Sequence, residues 1–431
     1  MYLALTDHRT AHDERHNARM ATWAKEVGGR LIATNAVRMA TPAARPLLDV
    51  LDCVRQHTTL DAAGIRLAPN REAYLKSVEE MAALFAWCPQ TVRNTAAIAE
   101  QCRFTLSEIA YQPPPFPIPA GETAFSHLFK LCHAGAAEKY RPMSPAAMAQ
   151  LTRELDLIHR LNYAEYFLFV WDIARFCRER GILMQGRGSA ANSVVAYVLG
   201  VTNVDPLRYG LLFERFLSEE RASPPDVDLD IEHERREQVI QYLYEKWGRD
   251  RAGMVCNVNA YRGSSALIDA GKALGIPHHR VIQLTKRLGH HRGDQMAAGI
   301  ARELGINEGT VGWLATLVAA MEDTPRHASI HNGGFVVTAR PLAECIPLEK
   351  ARMKDRTVTI WDKDDIEAQG FVKTDVLGLG MLTCIRKCFD LVHETDGTTL
   401  ALDTVPLEDP AVYDMFCMGD TVGVFQIESR A

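Results

Sequence analysis

Asp226, Asp228 and Asp230 recur at every second residue of the run Pro-Asp-Val-Asp-Leu-Asp-Ile at 225–231. Alternate residues of a strand share a face. If this run is a strand, three carboxylates point one way while Val227, Leu229 and Ile231 point into a core. Carboxylates crowded on one face resist ionising together. A divalent cation removes that conflict, and Mg²⁺ is commonly held by one or two carboxylates with substrate phosphates completing its shell. The bland alternative is the solvated face of a half-buried strand.

Other segments carry complementary chemistry. Residues 181–193, Gly-Ile-Leu-Met-Gln-Gly-Arg-Gly-Ser-Ala-Ala-Asn-Ser, read as a strand, a glycine-bearing turn and a helix starting near Ser189. Glycine lets backbone approach a ligand, and a helix start offers free N–H groups to phosphate. The run matches neither the Walker P-loop nor the dinucleotide fingerprint. Arg215 and Arg221 stand just before the aspartates, where planar guanidinium forks suit phosphate oxygens. Equally, they pair with Glu214, Glu219 or Glu220 on a surface. Far downstream, Phe-Val-Lys-Thr-Asp at 371–375 places Asp375 at a strand end with Lys373 two residues earlier on the same face. Asp375 is a candidate third carboxylate for a pair of metal ions, which needs ligands from more than one strand. A buried lysine–aspartate pair is the structural alternative.

Phosphoryl transfer joins these parts: metals activate the attacking hydroxyl and stabilise the leaving pyrophosphate, and cations take up transition-state charge. Arg249, Arg251, Arg262, Lys272, Arg280, Lys286, Arg287 and Arg292 are candidates for gripping a nucleic-acid backbone without reading its sequence.

The elements that must position these groups are legible in outline. With 431 residues the chain has room for two to four domains. A net charge of −6 argues against a whole-surface polyanion binder, not against a local basic channel. No apolar run approaches the roughly 20 residues a membrane span requires, and the first residues turn polar too soon for a secretory signal, so neither is expected. Ten scattered cysteines suit a reducing cytoplasm. Cys384 and Cys388, one helical turn apart in an apolar stretch, read as core. The first hundred residues are mostly helical, with a capping box at Ser77 and Glu80 and a short buried strand from Leu31. Prolines at 113–119 mark an extended linker. Helices are expected at about 146–159 and 232–247, the latter stopped by Gly248, and across the basic stretch 260–325. Strands return at 334–338 and 370–375.

At these residues the chain resembles the bacterial C-family DNA polymerases, the alpha subunit of DNA polymerase III and its relatives. Gly-Arg-Gly-Ser-Ala-Ala-Asn-Ser at 186–193 resembles the family's nucleotide motif. Leu-Leu-Phe-Glu-Arg-Phe-Leu at 211–217, with 225–230, resembles its signature around the first two catalytic aspartates. Lys-Thr-Asp-Val-Leu-Gly-Leu at 373–379 resembles the segment holding the third. Phe-Gln-Ile-Glu-Ser-Arg at 425–430 resembles the start of the fingers. The resemblance implies an α/β (α+β) fold: a nucleotidyltransferase palm like that of polymerase beta, built on a mixed sheet, with a helical thumb and the start of helical fingers. It implies a division into a polymerase-and-histidinol-phosphatase remnant at 1–110, palm at 111–259, thumb at 260–333, second palm segment at 334–385 and fingers from 386 to 431. Asp228, Asp230 and Asp375 become the catalytic ligands of two Mg²⁺ ions, with Asp226 outside the ligand set. Arg187, Gly188, Ser189, Ser193, Arg215, Arg221 and Lys373 become nucleotide contacts. Arg262, Lys272, Lys286, Arg287 and Arg292 become DNA contacts. Implied partners are primer-template DNA, deoxynucleoside triphosphates, and sliding-clamp and mutasome or replisome proteins, in the cytoplasm and away from membranes.

Residues 331–338, 355–365 and 380–383 are more similar to the error-prone, damage-inducible branch than to the main replicase. The chain departs from the family where Ala36-Val37-Arg38 replaces a frequent Asp-Val-His, and where Ile268 replaces an expected basic thumb residue. By the resemblance, only the closing part of the family's first domain and the beginning of its fingers are expected within these residues, and the clamp-binding segment is expected to fall outside them. His327 and His331 have helical metal-ligand spacing, but the glycines that follow favour a turn into a strand. Two alternatives stand beside a polymerase: a non-catalytic DNA-binding remnant, and a glycosyltransferase holding a nucleotide sugar through Asp-x-Asp.

Overall fold

Leu3 and Leu5 are the buried residues of a short alternating strand at the N-terminus, β1 (Tyr2–Leu5), which the sequence reading did not anticipate. A computed structural model describes residues 1–218, 225, 227–288, 302–303 and 305–428. The helix Ala11–Glu26 carries the chain from β1 to β2 (Arg30–Ala33), and the two strands pair in parallel from Tyr2↔Arg30 to Leu5↔Ala33. Polar side chains of the helix Gln90–Gln101 cover the edge of β2. Asn94 donates to the Leu31 carbonyl at 2.8 Å, and Thr95 donates to the Ala33 carbonyl and accepts from its N–H. The expected capping box starts the helix Val78–Leu84, with Ser77 and Glu80 exchanging hydrogen bonds.

The chain divides into two compact units, residues 1–105 with 259–327, and 106–258 with 328–431. In the first, the helix Arg45–Arg55 shares a core with the helices Gly263–Ala273, His278–Leu288 and Glu308–Met321. Val50 and Cys53 pack in one cluster with Tyr261, Ala270, Val281 and Met321. Segments expected as separate N-terminal and thumb pieces therefore lie within one unit. Arg38 is paired with the buried Asp52 at 2.7 Å.

The second unit is built on a seven-stranded mixed sheet. Its strands are β3 (Met184–Arg187), β4 (Val227–Glu232), β5 (Ala252–Ala260), β6 (Pro325–Val337), β7 (Leu348–Lys350), β8 (Thr357–Thr359) and β9 (Thr374–Leu379). They lie in the order β3-β4-β9-β6-β5-β8-β7. Val227, Leu229 and Ile231 are buried in the main core, as alternation requires. The helix Arg236–Trp247 packs Val239, Ile240, Leu243 and Tyr244 inward and ends at Gly248, whose φ of 85° suits glycine. The aromatic run at 166–171 lies in the helix Ala164–Glu179. Tyr166 through Val170 are all buried, so this stretch of the helix is enclosed on every side, while its C-terminal turns carry the more exposed Arg175, Arg178 and Glu179. Residues 113–119 carry no regular structure, as the prolines require.

Several local expectations are corrected. The helix expected from Ser189 starts at Val194, after a 3₁₀ turn, Gly188–Asn192. Asp375 sits near the beginning of β9 rather than at a strand end, and Lys373 precedes the strand. Cys384 and Cys388 are exposed on the helix Gly380–Asp396; only Leu382 and Thr383 of its first turn are buried, so its later turns turn both thiols to solvent. Among the described residues, no helix is long and apolar enough to cross a membrane.

Candidate active site

Register places the acidic residues. β4 and β9 run parallel with Asp228 opposite Asp375, and β3 runs antiparallel on the other side with Arg187 opposite Asp228. On β9's far edge, Gly334 of β6 faces Asp375. Because side chains alternate, Asp228, Asp230 and Glu232 share one face of β4. Asp226 and Arg221 lie outside the described residues, as does Arg292.

The carboxylates are matched by cations. Arg187 reaches across two of them, with one Nη 3.5 Å from Asp228 Oδ2 and the other 3.5 Å from Asp230 Oδ1. Lys373 Nζ lies 2.7 Å from Asp375 Oδ1, an ion-pair distance, although that oxygen is buried and receives no well-directed hydrogen bond. Burial pushes the Asp230 carboxyl above the usual aspartate range. Arg187 pulls it down and the Asp228 charge raises it further. His331 lies on β6, as does His327, so the helical spacing of this pair has no helix behind it. His331 Nδ1 accepts the N–H groups of Gly333 and Gly334 at 3.3 and 2.7 Å and sits 3.8 Å from Asp375 Oδ1. Its lone pair is thus committed to backbone.

Among the described residues, no three His, Cys, Asp or Glu side chains converge into a metal-ligating group. The donors nonetheless fit a divalent cation in kind: carboxylate oxygens on adjacent strands, one of them buried without a hydrogen bond, are the hard ligands Mg²⁺ takes. Arg187 and Lys373 hold the oxygens such an ion needs, so binding requires the carboxylates to exchange these partners.

The glycine turn is exposed at Gly188, whose φ is 64°, and half-buried at Ser189. Upstream, the Gly186 N–H bonds the Val201 carbonyl at 2.8 Å, and a Cβ on Gly186 would stand 2.8 Å from that oxygen. Ser193, expected as a nucleotide contact, has its hydroxyl engaged inside the protein. It is fully buried, donates to Glu154 at 2.7 Å and caps the Ala196 N–H. The next helix's first N–H groups, at Val194 and Val195, are bonded to Glu154. The helix start that the sequence offers to phosphate is therefore occupied internally. Glu154 itself was missed. Its signal was a carboxylate set among the apolar positions Leu151, Leu155 and Ile158 of the helix Pro145–Arg160.

Arg215 is exposed on the 3₁₀ turn Phe213–Arg215, and Glu214 beside it pairs with Arg153. In the other unit, Lys272 and Lys286 are exposed, Arg262 pairs with Asp323, and Arg287 pairs with Glu303 at 2.7 Å. Arg249 bonds the Asp355 carbonyl and lies over the Tyr244 ring, a structural role rather than an open cation.

The family model "Bacterial DNA polymerase III alpha NTPase domain" matches residues 126–378, and the corresponding finger-domain model matches 381–431. The chain is 46% identical over 440 residues to an error-prone DNA polymerase of Brucella abortus, covering 100% of this chain and 41% of that protein. It is 46% identical over 431 residues to the error-prone DNA polymerase of Mycobacterium bovis, covering 100% and 39%. A Bradyrhizobium diazoefficiens relative of the same name is 44% identical over 434 residues, covering 100% and 38%. The chain thus spans about two fifths of the length of these relatives. These matches leave the nucleotide-sugar reading of Asp-x-Asp without support. The chain belongs to the bacterial DNA polymerase III alpha family.

Proposed function

We propose that this chain carries the nucleotidyl-transfer centre of an error-prone DNA-directed DNA polymerase, adding deoxynucleotides to a primer 3′-hydroxyl during synthesis across DNA damage. The observation that carries the reading is the pairing of Asp228 with Asp375 on adjacent parallel strands, with Asp230 two residues along. In this proposal Asp228, Asp230 and Asp375 hold two Mg²⁺ ions, which supply charge neutralisation for the attacking and leaving oxygens. Arg187 and Lys373 neutralise the carboxylates until substrate arrives, then turn to the triphosphate oxygens. The exposed Gly188 and the half-buried Ser189 present backbone to the phosphates. Arg215 is a further phosphate ligand, and Lys272, Lys286, Arg262 and Arg287 contact the DNA backbone. The substrates are primer-template DNA and deoxynucleoside triphosphates in the cytoplasm, and clamp and mutasome proteins are partners of the whole polymerase.

Primer extension by the full 431-residue chain tests the reading. Extension that needs Mg²⁺ and disappears in Asp228→Ala and Asp230→Ala supports it. Extension surviving either change refutes the assignment. Salt-sensitive DNA binding without turnover, indifferent to Asp375→Asn, would leave only the DNA-binding alternative.

A further inference from the structure

Glu154 has no exposed surface and lies on the helix Pro145–Arg160 among Leu151, Leu155 and Ile158. Among the described residues, no cation pairs with it. Its carboxylate accepts four hydrogen bonds instead. Oε2 takes the Ser193 hydroxyl at 2.7 Å and the Val195 N–H at 3.0 Å; Oε1 takes the Val194 N–H and the Gln150 amide, each at 3.0 Å. Burial pushes the carboxyl up while these four donors favour the charged form.

Capping the short helix Val194–Val198 does not by itself require this arrangement. Ser193 already supplies the usual cap by accepting the Ala196 N–H at 3.1 Å. A buried carboxylate without a cation is a costly addition to a five-residue helix. What it adds is a fixed end for the segment before the helix. The turn Gly188–Asn192 begins at Arg187, which β3 sets opposite Asp228 and whose guanidinium meets both Asp228 and Asp230. It ends at Ser193, which Glu154 grips. One end of the turn is referenced to the catalytic strand and the other to the helical core.

We propose that Glu154 is a positioning residue, which clamps the far end of the glycine–serine turn so that Gly188 and Ser189 stay in register with Asp228 and Asp230 for an incoming nucleoside triphosphate. It touches no substrate. The inference rests on the nucleotide reading above for its functional half, and on hydrogen bonds alone for its structural half.

The test compares Glu154→Gln with wild type in the full chain. Glutamine keeps the size and one good acceptor but sets an amide NH₂ against a donor. The measurements are amide hydrogen exchange over 188–195, equilibrium binding of a fluorescent deoxynucleoside triphosphate, and binding of primer-template DNA. Expected are exchange about tenfold faster at 188–195 with β4 and β9 unchanged, nucleotide affinity about tenfold weaker, and DNA affinity unaltered. Unchanged exchange overturns the clamp. Faster exchange with unchanged nucleotide affinity overturns its link to substrate. Wild type that binds no nucleotide sinks the nucleotide reading, and with it the functional half, while exchange still decides the clamp. If Glu154→Gln does not fold, Gln150→Leu removes one of the four bonds and leaves the Ser193 cap in place, and the same pattern at smaller size is required of it.

Discussion

Asp228 and Asp375 face each other as register partners on neighbouring parallel strands, each with its own cation: Arg187 on the β3 side of Asp228, Lys373 just ahead of Asp375. The two ion pairs differ in depth. The Asp228 side chain is 30% exposed and its arginine partner 53%, whereas Asp375 and Lys373 are 10% and 15% exposed. The same chemical change at the two positions therefore has different costs.

Asparagine at either position removes a proposed metal ligand and should lower turnover at least about 100-fold. Stability should separate them. Asp375→Asn deprives a nearly buried lysine of its ion-pair partner and should cost about 1–3 kcal/mol. Asp228→Asn relieves repulsion with Asp230 and should cost under about 1 kcal/mol. Denaturant titration of the metal-free protein checks this, and equal losses would contradict it.

Asp230 gives a pH dependence of defined sign. Its folded-state carboxyl is raised by burial, so the folded protein holds that proton more tightly than the unfolded chain does. Its contribution therefore falls as pH rises from the ordinary aspartate range through the raised value. Metal-free wild type should lose melting temperature relative to Asp230→Asn over that window. Mg²⁺ affinity should run the other way, weakening on acidification as the proton competes for the ligand. Calorimetric titrations at two or three pH values would reveal a flat profile if Asp230 were no ligand.

Glu232, the third acid on that strand face, is fully buried and takes the Arg386 guanidinium at 2.6 Å. Arg386 belongs to the helix Gly380–Asp396, where the finger-domain match begins. Arg386→Met should destabilise by about 1–3 kcal/mol, because it takes the close partner from a buried carboxylate and leaves only Arg235, 3.6 Å from its other oxygen. Adding Glu232→Gln should recover much of the loss, a coupling that a double-mutant cycle measures.

Gly186→Ala is the packing prediction. The added methyl would meet the Val201 carbonyl oxygen at 2.8 Å, and that oxygen is backbone, so β3 must shift. A loss of about 1–3 kcal/mol is expected. Nucleotide affinity should fall too, since the turn follows directly from this strand; a melting curve identical to wild type would contradict the close approach.

The alternation of Val227, Leu229 and Ile231 with acids revealed β4 because a two-residue period has one structural meaning there. The helix Arg236–Trp247 was equally legible, its apolar stripe being closed by a glycine stop. Asp375 was singled out for its chemistry, but its place within β9 was not foreseen, since Lys373 and Thr374 suit a strand and an approach to one alike. The glycine turn misled in detail. Ser189 and Ser193 are equally good caps on paper, and only the distant Glu154 decides between them. The common core of the Arg45–Arg55 helix with residues 261–321 was invisible for a related reason: amphipathic stripes declare that they need a partner, not which one.

Parallel pairing of β4 with β9 also imposes an order of events on biosynthesis. Their adjacency depends on everything threaded between Glu232 and Thr374, a long-range closure of the kind that folds slowly. A nascent chain displays Asp228 and Asp230 on the ribosome well before Asp375 has been translated. Docking of Asp375 beside Asp228 is therefore a late step, and an interrupted product lacks that partner.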